Sequence, residues 1–291
     1  MINKKFIICF SILSGNTSQQ NYLCSMNLIR RFLLSSLCML LTVSLTADND
    51  FCGVQNISFT GNEQVQFKIF YNVIGLYVDA GNASFTVSNA KINNRPVYHI
   101  VGLGTSNPSY DWIFRVRDKY ETYIDTATLK PYRFVRHVEE GSFRKDELVN
   151  FNHDEKKATT PKGSFNVPSC IQDVLSAVYY ARNIDFSKRT IGEKIPFSMF
   201  IDDAVYNLYI RYLGKEVIKT KYGIFNAIKF KPMLISGTVF KGGELMTVWV
   251  SDDGNHLPLR IESPISVGSV KVDMIKFKNI RYPFDALITW R

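Results

Sequence analysis

The chain has 291 residues, 46% of them hydrophobic and 13% aromatic, enough apolar side chain to bury a sizeable core and too much for an intrinsically disordered protein. Its formal net charge is +9, but Lys4, Lys5, Arg30 and Arg31 precede Ala47 with no acid among them. The remainder carries +5 with both signs interspersed, a mixed soluble surface that gives no basis for nucleic-acid binding.

The first element is a leader. Met26 opens a short basic stretch, Asn27 to Arg31, followed by the apolar run Phe32 to Val43 and then Ser44, Leu45, Thr46 and Ala47, small residues that suit cleavage. The run is too short to span a bilayer comfortably, which favours a signal peptide over an uncleaved anchor. Residues 1–47 are therefore expected to be a leader, with Met26 as an alternative start, and the mature protein to be exported. No Cys follows a lipobox-like small residue: Cys38 follows Leu37 and Cys52 follows Phe51. Cys9, Cys24 and Cys38 leave with the leader. Cys52 and Cys170 remain, as a disulfide or as two buried thiols.

From Glu63 onward the apolar residues alternate with period two in short runs separated by turn residues, the pattern of antiparallel strands. Val65, Phe67, Ile69 and Tyr71 form one face of a first strand, and Ala83, Phe85 and Val87 one face of a second. Tyr120, Thr122 and Ile124 alternate with Glu121, Tyr123 and Asp125 in a third. Gly75, Gly81, Gly102 and Gly104 interrupt strand-like stretches, where a missing Cβ permits bulges and sharp curvature. One helix is expected at about 170–182: Ser169 with Gln172 reads as a capping box, and Ile171, Val174, Leu175, Val178 and Tyr179 recur at helical spacing. Its apolar face must lie on the sheet or plug its mouth.

Two stretches read as copies of one hairpin. Tyr123 to Pro131 and Trp249 to Pro258 each end a strand at an Asp, place a Leu one or two residues before a Pro, and restart as a strand. The carboxylate can accept backbone N–H groups across the turn, and Pro stands where the ladder needs no donor. The expectation is a mainly β fold: a strongly curved antiparallel sheet, as a half-open barrel or a sandwich of two related halves. A single domain over 48–291 would have pseudo-halves at about 48–165 and 166–291.

These hairpins and their flanks resemble the exported bacterial family known as domain of unknown function 3108. The residues that carry the likeness are Gly61, Glu63 and Gly81, the run Val116 to Thr122, Asp125 with Pro131, Asp173-Val174-Leu175 through Tyr179, Tyr180 and Arg182, Gly223 with Phe225, and Trp249 to Asp253 with Pro258. The hairpin form also resembles that of periplasmic lipoprotein carriers, whose half-open barrels hold acyl chains under a helical lid. The resemblance implies a periplasmic or outer-membrane-associated protein of a Gram-negative bacterium, peripheral rather than integral to the membrane.

The four histidines show no paired metal-ligand spacing and neither remaining Cys lies in a C-x-x-C, so no metal or cofactor is expected. Nucleotide-binding and nucleophile-elbow motifs are missing. Arg117, Asp118, Glu121 and Asp125 form the densest polar cluster. They read either as carboxylates for acid–base work or as an Arg–acid cross-strand pair with Asp125 capping its turn, and the second reading is preferred. Asp252 and Asp253 suit a hairpin turn better than calcium. Trp112, Phe114, Tyr179, Tyr180, Phe197, Phe200 and Phe225 are candidates to line an apolar cavity, against a filled core. The expected function is a non-enzymatic envelope protein that binds a lipid or acyl ligand or an envelope protein. The alternatives are a hydrolase using the carboxylates, and an assembly protein using sheet edges.

Overall fold

Period-two patterning resolves into fifteen strands among the described residues, the first beginning at Gln64 and the last ending at Trp290. The computed structural model describes residues 53–73, 76–236, 242–265 and 268–290. The leader, Gly75 and Cys52 lie outside the described residues. In chain order come β1 (Gln64–Val73), β2 (Leu76–Ile92), β3 (Arg95–Ser106), β4 (Arg117–Asp125), β5 (Pro131–Glu140), β6 (Phe143–Asn152), β7 (Lys157–Thr160) and β8 (Gly163–Asn166). After the helix α1 (Val174–Ala181) follow β9 (Lys194–Ile201), β10 (Ala204–Lys219), β11 (Gly223–Pro232), β12 (Thr247–Ser251), β13 (Pro258–Pro264), β14 (Ser269–Lys278) and β15 (Leu287–Trp290).

All fifteen strands belong to one antiparallel sheet, ordered β8-β7-β6-β5-β4-β3-β2-β1-β14-β13-β12-β11-β10-β9, with β15 on β11. The chain runs as two meanders, β1 to β8 and β9 to β14, joined where β1 pairs with β14. The sheet curls until its two ends meet without closing into a barrel. Phe200 of β9 packs against Phe151 of β6 and Phe165 of β8, with ring centroids 6.1 and 5.6 Å apart. Gln172 fills the backbone gap: its N–H donates to the Ser198 carbonyl and its carbonyl accepts from the Phe200 N–H, both at 2.9 Å. The edge of β9 is thereby paired at Ser198 and Phe200, which interrupts the row of free backbone groups an edge strand presents.

That bridge corrects the expected helix start. Gln172 is extended, so α1 begins after Asp173, whose carboxylate accepts the Leu175 and Ser176 N–H groups at 2.9 and 2.8 Å while the Ser176 hydroxyl accepts the Asp173 N–H. The capping box is therefore Asp173 with Ser176, and not Ser169 with Gln172. The helix fills the middle of the curl, with Leu175, Tyr179, Tyr180 and Ala181 buried among Val87, Ile100 and Ile124 of β2 to β4 and Ile195, Leu208 and Ile228 of β9 to β11. Gly102 makes this approach feasible, because a Cβ there would sit 3.0 Å from Phe85 and 3.3 Å from Leu175.

Alternation holds along β4, where Thr122 and Ile124 are buried. It slips in β1, where bulges fall at Gln66/Phe67 against β14 and at Ile69/Phe70 against β2. An extra residue in the ladder flips the face, so Phe70 is buried where Ile69 was expected.

The two hairpins match in detail. Ile124 pairs with Pro131 and Val250 with Pro258, each after a bulge. Leu129 and Leu257 are fully buried, and a residue at positive φ stands two before each Pro, Leu129 (56°) and His256 (42°). The second turn is one residue longer. There the capping carboxylate is Asp253, which accepts from the Ser251 hydroxyl and the Asn255 N–H, while Asp252 pairs with Lys215 on the surface.

Candidate functional site

Both Asp-turn hairpins lie at the end of the sheet where α1 finishes, and this end is closed by a buried polar knot. Arg182 donates to both oxygens of Glu63, at 2.6 and 2.9 Å, and to the Asn255 carbonyl at 3.0 and 3.3 Å. Its guanidinium also lies over the rings of Phe59 and Tyr179, at 5.5 and 5.1 Å. Burial by itself disfavours the charged guanidinium, and the Glu63 carboxylate overrides that. The Asn255 side chain bonds the backbone of Tyr282 and Pro283, and the His256 ring bonds the Arg182 carbonyl. Asn183 accepts the N–H groups of Ile57 and Ser58. The entering chain, the helix C-terminus and the second hairpin are thereby tied together. Arg182, Glu63, Asn183 and Asn255 are all buried in it.

The opposite end is different. It gathers the connections β1–β2, β3–β4, β5–β6, β9–β10, β11–β12 and β13–β14, and on its inner face β4 to β6 turn polar. Asp118 hydrogen-bonds Glu140 and accepts the Glu139 N–H at 3.1 Å. Burial, then the neighbouring Asp118, pushes the Glu140 carboxyl up to about 7. Burial raises Asp118 as well. Tyr120, beside them, is pushed up to about 12 by burial and next by the Asp118 charge. Arg136, almost fully buried, pairs with Glu147 at 2.7 Å and with Asp202 of the β9–β10 turn. Thr160 and Lys162 hold Asp203 of the same turn at 2.8 and 2.7 Å. These pairs pin β9–β10 across the mouth of the curl.

The predicted polar cluster divides between two faces, as a period-two strand requires. Asp118 points inward. Arg117 pairs with Asp111 in the β3–β4 connection at 2.5 Å rather than across strands, because the loop folds back over the start of β4. Arg117, then Ser106, holds the Asp111 carboxyl below its ordinary value. Glu121 bonds His99 and Lys119, at 2.9 and 2.7 Å. Burial would raise it, but these two partners outweigh burial and lower it. Asp125 caps its turn through the Ala127 and Thr128 N–H groups at 3.0 and 2.8 Å. Glu140, the true neighbour of Asp118, escaped sequence reasoning because only the β4–β5 register brings it there.

The predicted cavity aromatics do not converge on one space. Tyr179, Tyr180 and Phe197 belong to the central core, Phe200 to the cluster between β9 and β5–β7, and Phe225 to a third cluster with Val65, Leu259 and Met274. Trp112 is 83% exposed and Phe114 46%, since both lie in the β3–β4 connection, outside the curl. With them stand Ile113 and Tyr110 in the same loop, Leu76 and Tyr77 at the β1–β2 turn, and Phe143 beyond the β5–β6 turn, all exposed. Three successive connections at one end of the sheet thus present large apolar side chains to solvent. Beside them Arg117, His137, Glu139, Arg144, Lys145 and Asp146 line a shallow recess of about 180 Å³.

No group of side chains among the described residues has the composition and spacing to hold a metal ion. No helix among them is long and apolar enough to cross a membrane. No curated protein matches the chain. Among solved structures it is similar to the β-barrel-like protein of domain of unknown function DUF1849 from Brucella abortus. The likeness has a TM-score of 0.52 and 8% sequence identity, over 78% of this chain and 99% of that one. At that identity it speaks for the fold alone, a barrel-like curl of one antiparallel sheet. A family model matches residues 66–275, and the chain belongs to that family, the proteins of unknown function designated DUF3108.

Proposed function

We propose that this protein is a non-enzymatic binder of the cell envelope, and that it meets an apolar partner at the open, loop-bearing end of its sheet. The observation that carries the reading is the run Trp112-Ile113-Phe114, exposed at 83, 64 and 46%. A soluble protein gains nothing by presenting three consecutive large apolar side chains to water, and such patches mark contact surfaces. The interior supports a surface contact rather than an enclosed ligand, because α1 and Phe59 occupy the middle of the curl: Tyr179 meets Phe59 edge-on at 4.8 Å and Phe85 at 6.3 Å. Export through the leader at 1–47 and a Cys52–Cys170 bridge complete the proposal. Both rest on residues outside those described.

The test is photo-crosslinking in cells from a reactive residue placed at Ile113, with Asn94 at the closed end as control. Adducts to lipid or to an envelope protein from Ile113 alone are expected. Equal labelling from the two sites would refute the reading.

One observation favours a second reading. Asp118 and Glu140 are two carboxyls of raised pKa in contact, the arrangement a hydrolase uses to hold a proton at neutral pH. Hydrolysis of an envelope glycan or ester that disappears in Glu140→Gln while folding is retained would establish this reading over the first.

A further inference from the structure

The exposed loop and the recess beside it have complementary chemistries, and together they specify the partner. The loop is a protrusion and not a groove: Asn107 caps a short turn at Pro108–Tyr110, and Trp112 and Ile113 project beyond it. The indole N–H of Trp112 is already satisfied by the Ser109 carbonyl at 3.1 Å, so what the ring offers outward is its apolar body. Phe114 turns back, its ring within 3 Å of where a Gly141 Cβ would be, and locks the loop onto the β5–β6 turn. Gly141 also donates its N–H to the Arg115 carbonyl at 2.8 Å. The apolar tip is therefore held rigidly and costs little further ordering on contact.

Beside the tip two arginines outnumber their acid. Arg115 and Arg144 are both more than half exposed and share one carboxylate, Glu139, at 3.2 and 2.8 Å. In the recess Arg117 is taken by Asp111, Lys145 by Asp202 of the β9–β10 turn, and Asp146 by His137, so the cation left over beside the tip is the one that Arg115 and Arg144 hold in excess of Glu139. Trp and Tyr with Ile and Phe, flanked by Arg, is the composition that settles at the boundary between headgroups and acyl chains. A protein partner is the weaker fit, since it would have to supply a pocket for a convex tip.

We propose that the β3–β4 loop is a bilayer anchor: Trp112 and Ile113 enter the acyl-chain boundary of a phospholipid leaflet, and Arg115 and Arg144 beside them meet an anionic headgroup. This deepens the proposed envelope binding by naming its partner as the lipid surface itself. The test uses the full chain with vesicles of phosphatidylcholine containing a minority of phosphatidylglycerol. The readout is quenching of tryptophan fluorescence by lipids brominated on the acyl chain. The leader contains no tryptophan, so a quenched residue lies beyond it, and Trp112→Phe assigns the signal against Trp249 and Trp290.

Expected are quenching that vanishes in Trp112→Phe, an apparent affinity lowered at least about tenfold in Ile113→Ser, and weakening by salt or by Arg115→Ser with Arg144→Ser. Unquenched Trp112, or quenching that Ile113→Ser leaves unchanged, overturns the proposal. If the crosslinks from Ile113 run to protein while the vesicle signal is nil, the anchor is refuted and envelope binding stands. If both fail, the two readings fall together. Ile113 and Trp112 project from the surface, so an unaltered melting curve is expected to exclude misfolding.

Discussion

Replacing Arg182 with Met keeps the apolar stem over Phe59 and Tyr179 but deletes the guanidinium. What remains is Glu63, 0% exposed, with its cation gone, and the Asn255 carbonyl without its donor. Stranding one member of a buried ion pair costs about 3–5 kcal/mol, and a buried carbonyl left unsatisfied adds about 1–3 kcal/mol. Against a total stability of about 5–15 kcal/mol for a domain, Arg182→Met brings the fold close to its limit. Glu63→Met added to Arg182→Met removes the stranded charge and leaves only the carbonyl. The double variant is therefore expected to be more stable than Arg182→Met alone, by roughly 2 kcal/mol or more. Urea unfolding followed by far-ultraviolet circular dichroism measures the order. If Arg182→Met yields no folded protein while the double variant folds, the order is the same. A double variant no more stable than Arg182→Met, or an Arg182→Met loss below about 1 kcal/mol, would refute the reasoning that this pair is held in a dry interior.

A pH dependence follows from Glu140, whose carboxyl is raised from 4.5 to about 7 in the fold. The native state binds the extra proton between these values, so stability falls as pH rises through that window. Glu140→Gln is expected to flatten this part of a melting-temperature profile, and an unchanged slope would show that the proton is not held there. Leu129→Ala and Leu257→Ala should each cost about 2–5 kcal/mol by opening a cavity under their turns, whereas Val217→Ala, on the surface, stays within about 0.5 kcal/mol. Calorimetry separates these, and a near-neutral result at either Leu would deny that its turn is anchored from below. Alkylation of unfolded, unreduced protein should leave Cys52 and Cys170 unlabelled until a reductant is added. Labelling of both would exclude the bridge.

Features encoded by neighbouring residues are legible in the sequence. A strand's alternation is a property of adjacent residues, which is why Thr122 and Ile124 came out on the buried face. The Asp-turn-Leu-Pro hairpins are likewise short-range chemistry. The helix start is not legible locally because Ser169 and Gln172 have capping chemistry of their own, and only the arrival of β9 alongside Gln172 withdraws those residues from the helix. The face change at Phe70 has the same origin, since a bulge belongs to a pair of strands and a sequence describes one. The cavity aromatics failed for a related reason: Trp112 and Phe225 are both aromatic residues among apolar neighbours, yet one is 83% exposed and the other fully buried.

The sequence by itself determined the mainly antiparallel sheet, its sharp curvature, its interior helix and the paired hairpins, because each follows from periodicity and turn residues within about a dozen positions. The tertiary structure alone decided that Glu63 finds Arg182 across 119 residues, that Asp118 faces Glu140 rather than Glu121, and that the β3–β4 loop stands out in solvent. Those outcomes depend on strand register and on which ends of a curled sheet come together. Both are set by the energy of the whole core and are written in no single stretch of chain.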